Sequence, residues 1–297
     1  MGKFIKKIIL FILILGFYKL CLFGLSILSL TGEQNDFYGK VSKNTNKIIL
    51  VGSSNIKHNI DFSTLNTEFK NYDVIGVSLN APSGLLSTAI KIKKLSLDKN
   101  DIIIFCVPHA FYESSQLIPI ANYRKSGMTS SIIFESLFNF PLITSKEILA
   151  LDVIAAFKLF VNDKNRPSKP MDEVTFSMTP EVQSNPKFLD CWTNNFSKFY
   201  ISSTTYEQDY LESLLSYLRT DFSSKIYFRY PPIMIDNYDL NKERLTFLDA
   251  NFPMLNEFEE SKYEYSLWYD KRYHLNKCGM EINTGRLIHE IISKISN

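Results

Sequence analysis

The chain has 297 residues, 45% of them hydrophobic and 22% charged, which excludes a disordered tail or a disulfide-stapled miniprotein and supplies enough apolar side chain for a substantial core. Lys and Arg number 33 against 31 Asp and Glu, a near-neutral balance that gives no general electrostatic reason to bind nucleic acid, and no basic block outside the first residues changes that. Gly and Pro are only 11 each, while Phe and Tyr reach 23 and 16, the composition of a folded chain with an aromatic-rich core.

The N-terminus comes first. Residues Ile8 to Leu30 read IILFILILGFYKLCLFGLSILSL, an apolar run of the length needed to cross a bilayer, broken only by Lys19. Lys3, Lys6 and Lys7 precede it, so the positive-inside rule leaves the short N-terminus in the cytoplasm and carries the chain after Thr31 to the far side. The segment reads as a signal anchor over residues 1–30 rather than a cleaved signal peptide, because it exceeds an ordinary h-region and no clean small-x-small site follows. Lys19 is expected to snorkel, to pair with another helix or to split the span. Cys21 lacks the small neighbours of a lipoprotein site. The other cysteines, Cys106, Cys191 and Cys278, are scattered without a CxxC, which indicates neither a metal site nor a disulfide framework; one pair can form in an oxidising compartment, and spacing does not choose it.

After a linker (31–46) the chain alternates strands with helices. Lys47–Gly52 (KIILVG) is a short apolar run ending in a small-residue turn, as a buried parallel strand requires. Asp61 is placed to cap a helix through about Phe69, Asp73–Leu79 is a second strand, and Gly84 to about Leu97 shows helical periodicity. Asp101–Val107 (DIIIFCV) is a third buried strand, stopped by Pro108. Three strand–helix units imply an α/β fold with a parallel sheet covered on both faces.

The middle is less regular. Helices are expected near Thr129–Phe138 and Lys146–Phe160, then a polar stretch from Asn162 to Pro186, together read as an insertion at about 110–200 covering the sheet's carboxyl edge. Regularity returns with a helix from about Thr205 to Leu218, the strand Lys225–Tyr230 before Pro231-Pro232, and a terminal helix from about Gly279 to Ser296. One domain (47–297) with an insertion is therefore expected.

Two distant pieces carry chemistry. Gly52-Ser53-Ser54-Asn55 follows the first strand, and ligands of open α/β sheets meet the carboxyl ends of the strands, so Ser54 stands where a nucleophile is wanted. Serine is also common in turns for local hydrogen-bonding reasons. The second piece, Asp270-Lys-Arg-Tyr-His274-Leu-Asn276, precedes the terminal helix; a serine needs an imidazole base, and the imidazole needs a carboxylate or carbonyl to fix its tautomer, which Asp270 can supply. Asn55 is placed to shape the turn or contact substrate. His109, after Pro108, is either a structural hydrogen-bonder or a site residue, and His58 and His289 read as surface or packing residues.

These pieces resemble the SGNH/GDSL hydrolase superfamily, and more narrowly its membrane-anchored branch associated with cell-envelope polysaccharide acylation. The matching motifs are Gly52-Ser53-Ser54, Asn80-Ala-Pro-Ser-Gly84, the Tyr-Pro-Pro after the fourth strand, and Asp270 with His274-Leu275-Asn276 and Gly279. The resemblance spans about Lys47 to Asn297, apart from much of the middle. It implies a flavodoxin-like three-layer sheet, Ser54 as nucleophile, His274 as base and Asp270 as its orienting acid. The Ser54 and Gly84 N–H groups would form an oxyanion hole, with Asn80 or His109 adding a side-chain donor. Two departures stand out. The Asn expected after strand three is replaced in Pro108-His109-Ala110-Phe111, and the acid expected three residues before the histidine is displaced, since position 271 is Lys271 and the nearest carboxylate is Asp270. Losing one oxyanion donor costs about 100- to 1,000-fold in rate.

The expected function is serine-dependent acyl-ester chemistry, as esterase or O-acyltransferase, on a cell-envelope glycan outside the cytoplasmic membrane, without metal or cofactor. The expected partners are the membrane through the N-terminal helix, an acylated glycan, and a membrane acyl-donor protein. The alternative is a catalytically impaired glycan-binding or scaffold protein of an assembly complex. A third reading is a lipase acting on the adjacent membrane, which needs an apolar acyl channel.

Overall fold

The computed structural model describes residues 2–28, 45–78, 85–93, 97–106, 225–245, 247–269 and 274–295, with 135, 137–139, 189, 214 and 216–218. The linker to residue 44, the helix expected at 146–160 and most of the insertion lie outside the described residues.

Helix α1 spans Gly2–Leu28. Its apolar side chains between Phe4 and Leu20 are exposed, from Phe4 at 69% to Leu20 at 66%. Among the described residues no helix is long and apolar enough to cross a membrane. The described side chains at 4–21 include Lys6, Lys7 and Lys19, and the apolar run in the sequence continues past them.

Four parallel strands form the main sheet: β1 (Asn46–Gly52), β2 (Tyr72–Ser78), β3 (Ile102–Cys106) and β4 (Lys225–Phe228), in the order β2-β1-β3-β4. Leu50 stands opposite Gly76 and Ile104, and Ile104 opposite Tyr227. Phe228 makes one further parallel bridge, to Met254, so the chain passes β4 where a fifth strand would lie. The connections include α2 (Ser54–Asn59), α3 (Phe62–Glu68) and α4 (Leu85–Lys93), and the chain closes with α7 (Lys277–Ile295), after α5 (Tyr238–Leu245) and α6 (Phe247–Asn251).

The continuous apolar strands follow from burial on both faces. Ile48, Leu50, Ile102 and Ile104 pack with Ile56, Leu65, Leu287 and Ile291 from α2, α3 and α7. The alternate residues Ile49, Val51, Ile103 and Phe105 are equally inaccessible, so the opposite face is covered too. On that face Phe105 stacks on Phe228 with ring centres 5.1 Å apart. Asp61 caps α3 as expected, accepting the N–H groups of Ser63 and Thr64.

A buried ion pair ties β1 to the entrance of β3. Asp101 accepts the Lys47 backbone N–H at 2.8 Å and lies 3.3 Å from Lys47 Nζ, and it also accepts the Asp98 N–H at 2.7 Å. These bonds satisfy a carboxylate that would be costly to bury alone.

A second sheet, not expected from the sequence, pairs β5 (Ile233–Met234) with β6 (Lys262–Tyr263). Met234, Tyr263, Trp268 and Leu275 form its small core, and Trp268 bridges Leu275 in antiparallel fashion. Burying a side chain such as Leu275 contributes about 1.5–3 kcal/mol, which anchors the segment leading into α7.

Candidate active site

Gly52, Ser53 and Ser54 leave the carboxyl end of β1, the central strand beside β3. From β1 the chain goes to β2 on one side and then to β3 on the other, so this end is a topological switch point where α/β sheets open a crevice for ligands. Gly52 is required by close packing: a Cβ there would run into Ile56 Cγ2 and approach the Cys106 carbonyl to 2.7 Å. Ser53, in extended conformation, caps α2 and places Ser54 as its first residue.

Asn55 is buried at 3% exposure and its amide is taken up within this turn. Oδ1 accepts from the Ser53 N–H and the Ser53 hydroxyl, both at 2.8 Å, while Nδ2 donates to the Cys106 carbonyl at 3.1 Å. Of the two expectations for Asn55, these bonds correspond to the shaping of the turn.

His274 approaches from the other end of the chain. Its Nε2 lies 3.0 Å from Ser54 Oγ across 220 positions of sequence, and both residues are half-buried, within reach of a substrate. The segment carrying it is fixed on both sides. The His274 carbonyl accepts the Tyr269 N–H at 2.9 Å, and the following Leu275 N–H donates to Asn59 Oδ1 at 2.7 Å. Asn276 then caps α7 by accepting the Gly279 N–H at 3.0 Å, so the terminal helix begins at Lys277, two residues before the glycine expected to open it. An added Cβ at Gly279 would collide with the Leu267 carbonyl.

Two residues not anticipated at the site are found there. His58, read as a surface or packing residue, sets its ring 4.2 Å from that of His274 with the planes tilted by 46°. Asn59 carries the hydrogen bond to Leu275. No local signal marked either one, since their partners are more than 200 residues away. His289, by contrast, is exposed. Asp270, Asn80, Gly84 and His109 lie outside the described residues, so the expected acid and the remaining oxyanion donors are not placed by the structure.

A buried charged pair lies at the end of β4. Arg229, directly after β4, donates from Nε and Nη2 to Glu290 on α7 at 2.6 and 3.1 Å. Burial alone would lower the Arg229 pKa, but the Glu290 carboxylate outweighs it and holds the guanidinium charged. The adjacent Cys106 thiol is pushed up by burial against the pull of Arg229, and Cys106 is a free thiol. Cys21 is also free and Cys278 is disulfide-bonded, while the fourth cysteine, Cys191, lies outside the described residues. Among the described residues no cluster of His, Cys, Asp and Glu could hold a metal.

Comparison with protein-family models, with curated proteins and with solved structures gives no match.

Proposed function

We propose that the chain is a serine-dependent acyl-ester enzyme of the SGNH hydrolase type, with a flavodoxin-like three-layer sheet, acting on an acylated cell-envelope glycan outside the cytoplasmic membrane. The observation that carries this reading is the 3.0 Å approach of His274 Nε2 to Ser54 Oγ at the switch point of the sheet. A hydroxyl in that position loses its proton to the imidazole as it attacks.

Ser54 Oγ bonds to the ester carbonyl carbon while its proton passes to His274 Nε2, giving a tetrahedral oxyanion. Collapse breaks the bond to the alcohol oxygen, which takes the proton from His274 and leaves Ser54 acylated. Water, or a sugar hydroxyl, then attacks the acyl carbon while His274 again accepts the proton; collapse of this second tetrahedral oxyanion breaks the bond from the acyl carbon to Ser54 Oγ, which takes the proton back from His274 and is regenerated as the hydroxyl. Water makes the enzyme an esterase and a sugar hydroxyl makes it an O-acyltransferase. The Ser54 N–H, first in its helix and without an intrahelical acceptor, is suited to face the oxyanion. In this reading Gly84, Asn80 and His109 complete that site and Asp270 orients His274.

The extracytoplasmic setting draws on two features. Cys278 is disulfide-bonded, and disulfides persist in oxidising compartments and are rare in the cytosol. The apolar side chains exposed along α1 need cover of the kind a bilayer gives, with the lysines before the run on the cytoplasmic side. A membrane acyl-donor protein is the partner this arrangement would take if the reaction is a transfer.

The test is acetate release or transfer from an O-acetylated envelope glycan by the full chain. Ser54→Ala is expected to lower the rate by at least about 1,000-fold; activity that survives it removes the assignment. The replacement of the Asn expected after strand three by the Pro108-His109 sequence favours a second reading, a glycan-binding member without turnover. That reading is distinguished by saturable glycan binding in the absence of any turnover by the wild-type chain.

A further inference from the structure

Resting on the hydrolase reading, the last turn of α2 has a role in the same reaction. The base must be held in one orientation, and an imidazole on a segment leading into a helix has two side-chain torsions and a backbone to fix. Helix α2 supplies contacts to both. His58, one helical turn after Ser54, packs its ring against that of His274 at 4.2 Å. Asn59, the next residue, accepts the Leu275 N–H at 2.7 Å.

That N–H belongs to the same planar peptide unit as the His274 carbonyl, which accepts the Tyr269 N–H, so the unit is gripped at both ends. Asn59 is itself held. Its carbonyl accepts from Asn283 Nδ2 at 2.7 Å, and Asn283 Oδ1 accepts the Tyr263 hydroxyl at 3.1 Å, all in buried surroundings. A helix of six residues thus begins with the nucleophile and ends with one residue against the ring of the base and one holding the peptide that follows it.

We propose that His58 and Asn59 are positioning residues that set the distance and angle of His274 to Ser54 from the nucleophile's own helix. This supplies orientation beyond what a displaced acid gives, because a ring packed against the imidazole restricts its rotation and a clamped peptide fixes its Cα. Misplacing a reacting group by about 1 Å can cost about 100-fold in rate, so both contacts matter even though neither touches substrate.

The experiment follows covalent labelling of Ser54 in the full chain by a fluorophosphonate, separating the maximal labelling rate from the concentration giving half of it. His58→Ala is expected to lower the maximal rate by about 10- to 100-fold with the half-saturating concentration unchanged, and His58→Phe, which keeps a ring, to restore most of it. Asn59→Ala is expected to act likewise, with Asn59→Asp retaining an acceptor for Leu275. Asn59 is buried; if Asn59→Ala does not fold, the half-buried His58 pair carries the test. Labelling of His58→Ala at the wild-type rate overturns the proposal, and so does His58→Phe labelling as slowly as His58→Ala. A folded wild-type chain that is not labelled at Ser54 instead overturns the hydrolase reading, and this inference with it.

Discussion

Asn55 donates its Nδ2 to the Cys106 carbonyl at 3.1 Å, which joins the turn bearing Ser54 to the end of the neighbouring strand β3. The same side chain accepts two hydrogen bonds from Ser53, so one amide sets the shape of the turn and ties it to the sheet. Replacing it leaves buried polar groups without partners, each costing about 1–3 kcal/mol. Asn55→Ala is therefore expected to lower stability by at least about 2 kcal/mol and to slow labelling of Ser54, measured by urea unfolding alongside the fluorophosphonate rate.

The pair Arg229–Glu290 fastens α7 to the end of β4 deep in the protein, with side-chain exposures of 2% and 9%. Removing one partner leaves the other charge buried and uncompensated. Glu290→Ala is expected to cost about 3–5 kcal/mol in urea unfolding, and the double variant Arg229→Met, Glu290→Leu much less, since apolar side chains can fill the volume without a charge to desolvate.

Cys106 gives a pH dependence whose sign is fixed by burial. Its thiol is raised above an ordinary value of 9.0 in the folded chain, so above about pH 9 the unfolded chain has lost a proton that the native one keeps. Stability contributed by the protonated thiol is full below that pH and is lost as pH rises towards the folded pKa. The slope approaches about 1.4 kcal/mol per pH unit for one proton. Tyr263, also raised by burial from 10.0, adds a loss of the same sign at higher pH. Unfolding free energies between about pH 8 and 10 are expected to fall more steeply for the wild-type chain than for Cys106→Ala.

Cys278 lies in the first turn of α7, four residues after His274, and its disulfide restrains the chain close to that residue. A disulfide typically contributes about 2–4 kcal/mol by constraining the unfolded chain. Reductant is expected to lower the Tm of the wild-type chain and to leave that of Cys278→Ser unchanged. Equal responses from the two would contradict a stabilising bond at this position.

The strands were legible because burial on both faces leaves a continuous apolar run, as in the isoleucines of β1 and β3, and Asp61 was legible because a helix cap is a local bond. Helix α2 was not. Its sequence SNIKHN has one apolar residue and no periodicity, and what makes it a helix is the Ser53 cap and the packing of Ile56. The start of α7 shifted because Asn276 caps it, a residue competent for that role but followed by a glycine that drew the boundary later. Ser54 and His274 could be paired in advance from the chemistry they share. Asn59 and His58 could not, since a side-chain bond to a backbone N–H 216 positions away leaves no pattern in either segment. The small sheet of β5 and β6 escaped for a related reason: two-residue strands carry too few side chains to show alternation.

The pairing of Ser54 with His274 is tested by intact-mass and peptide-mapping analysis of the full chain after fluorophosphonate treatment, with Ser54→Ala and His274→Ala in parallel. A single adduct on Ser54 is expected, absent from Ser54→Ala and slowed at least about 100-fold in His274→Ala, as an activated serine requires. A chain that unfolds cooperatively yet forms no adduct, or forms it at another residue, would contradict the pairing of Ser54 with His274 as nucleophile and base.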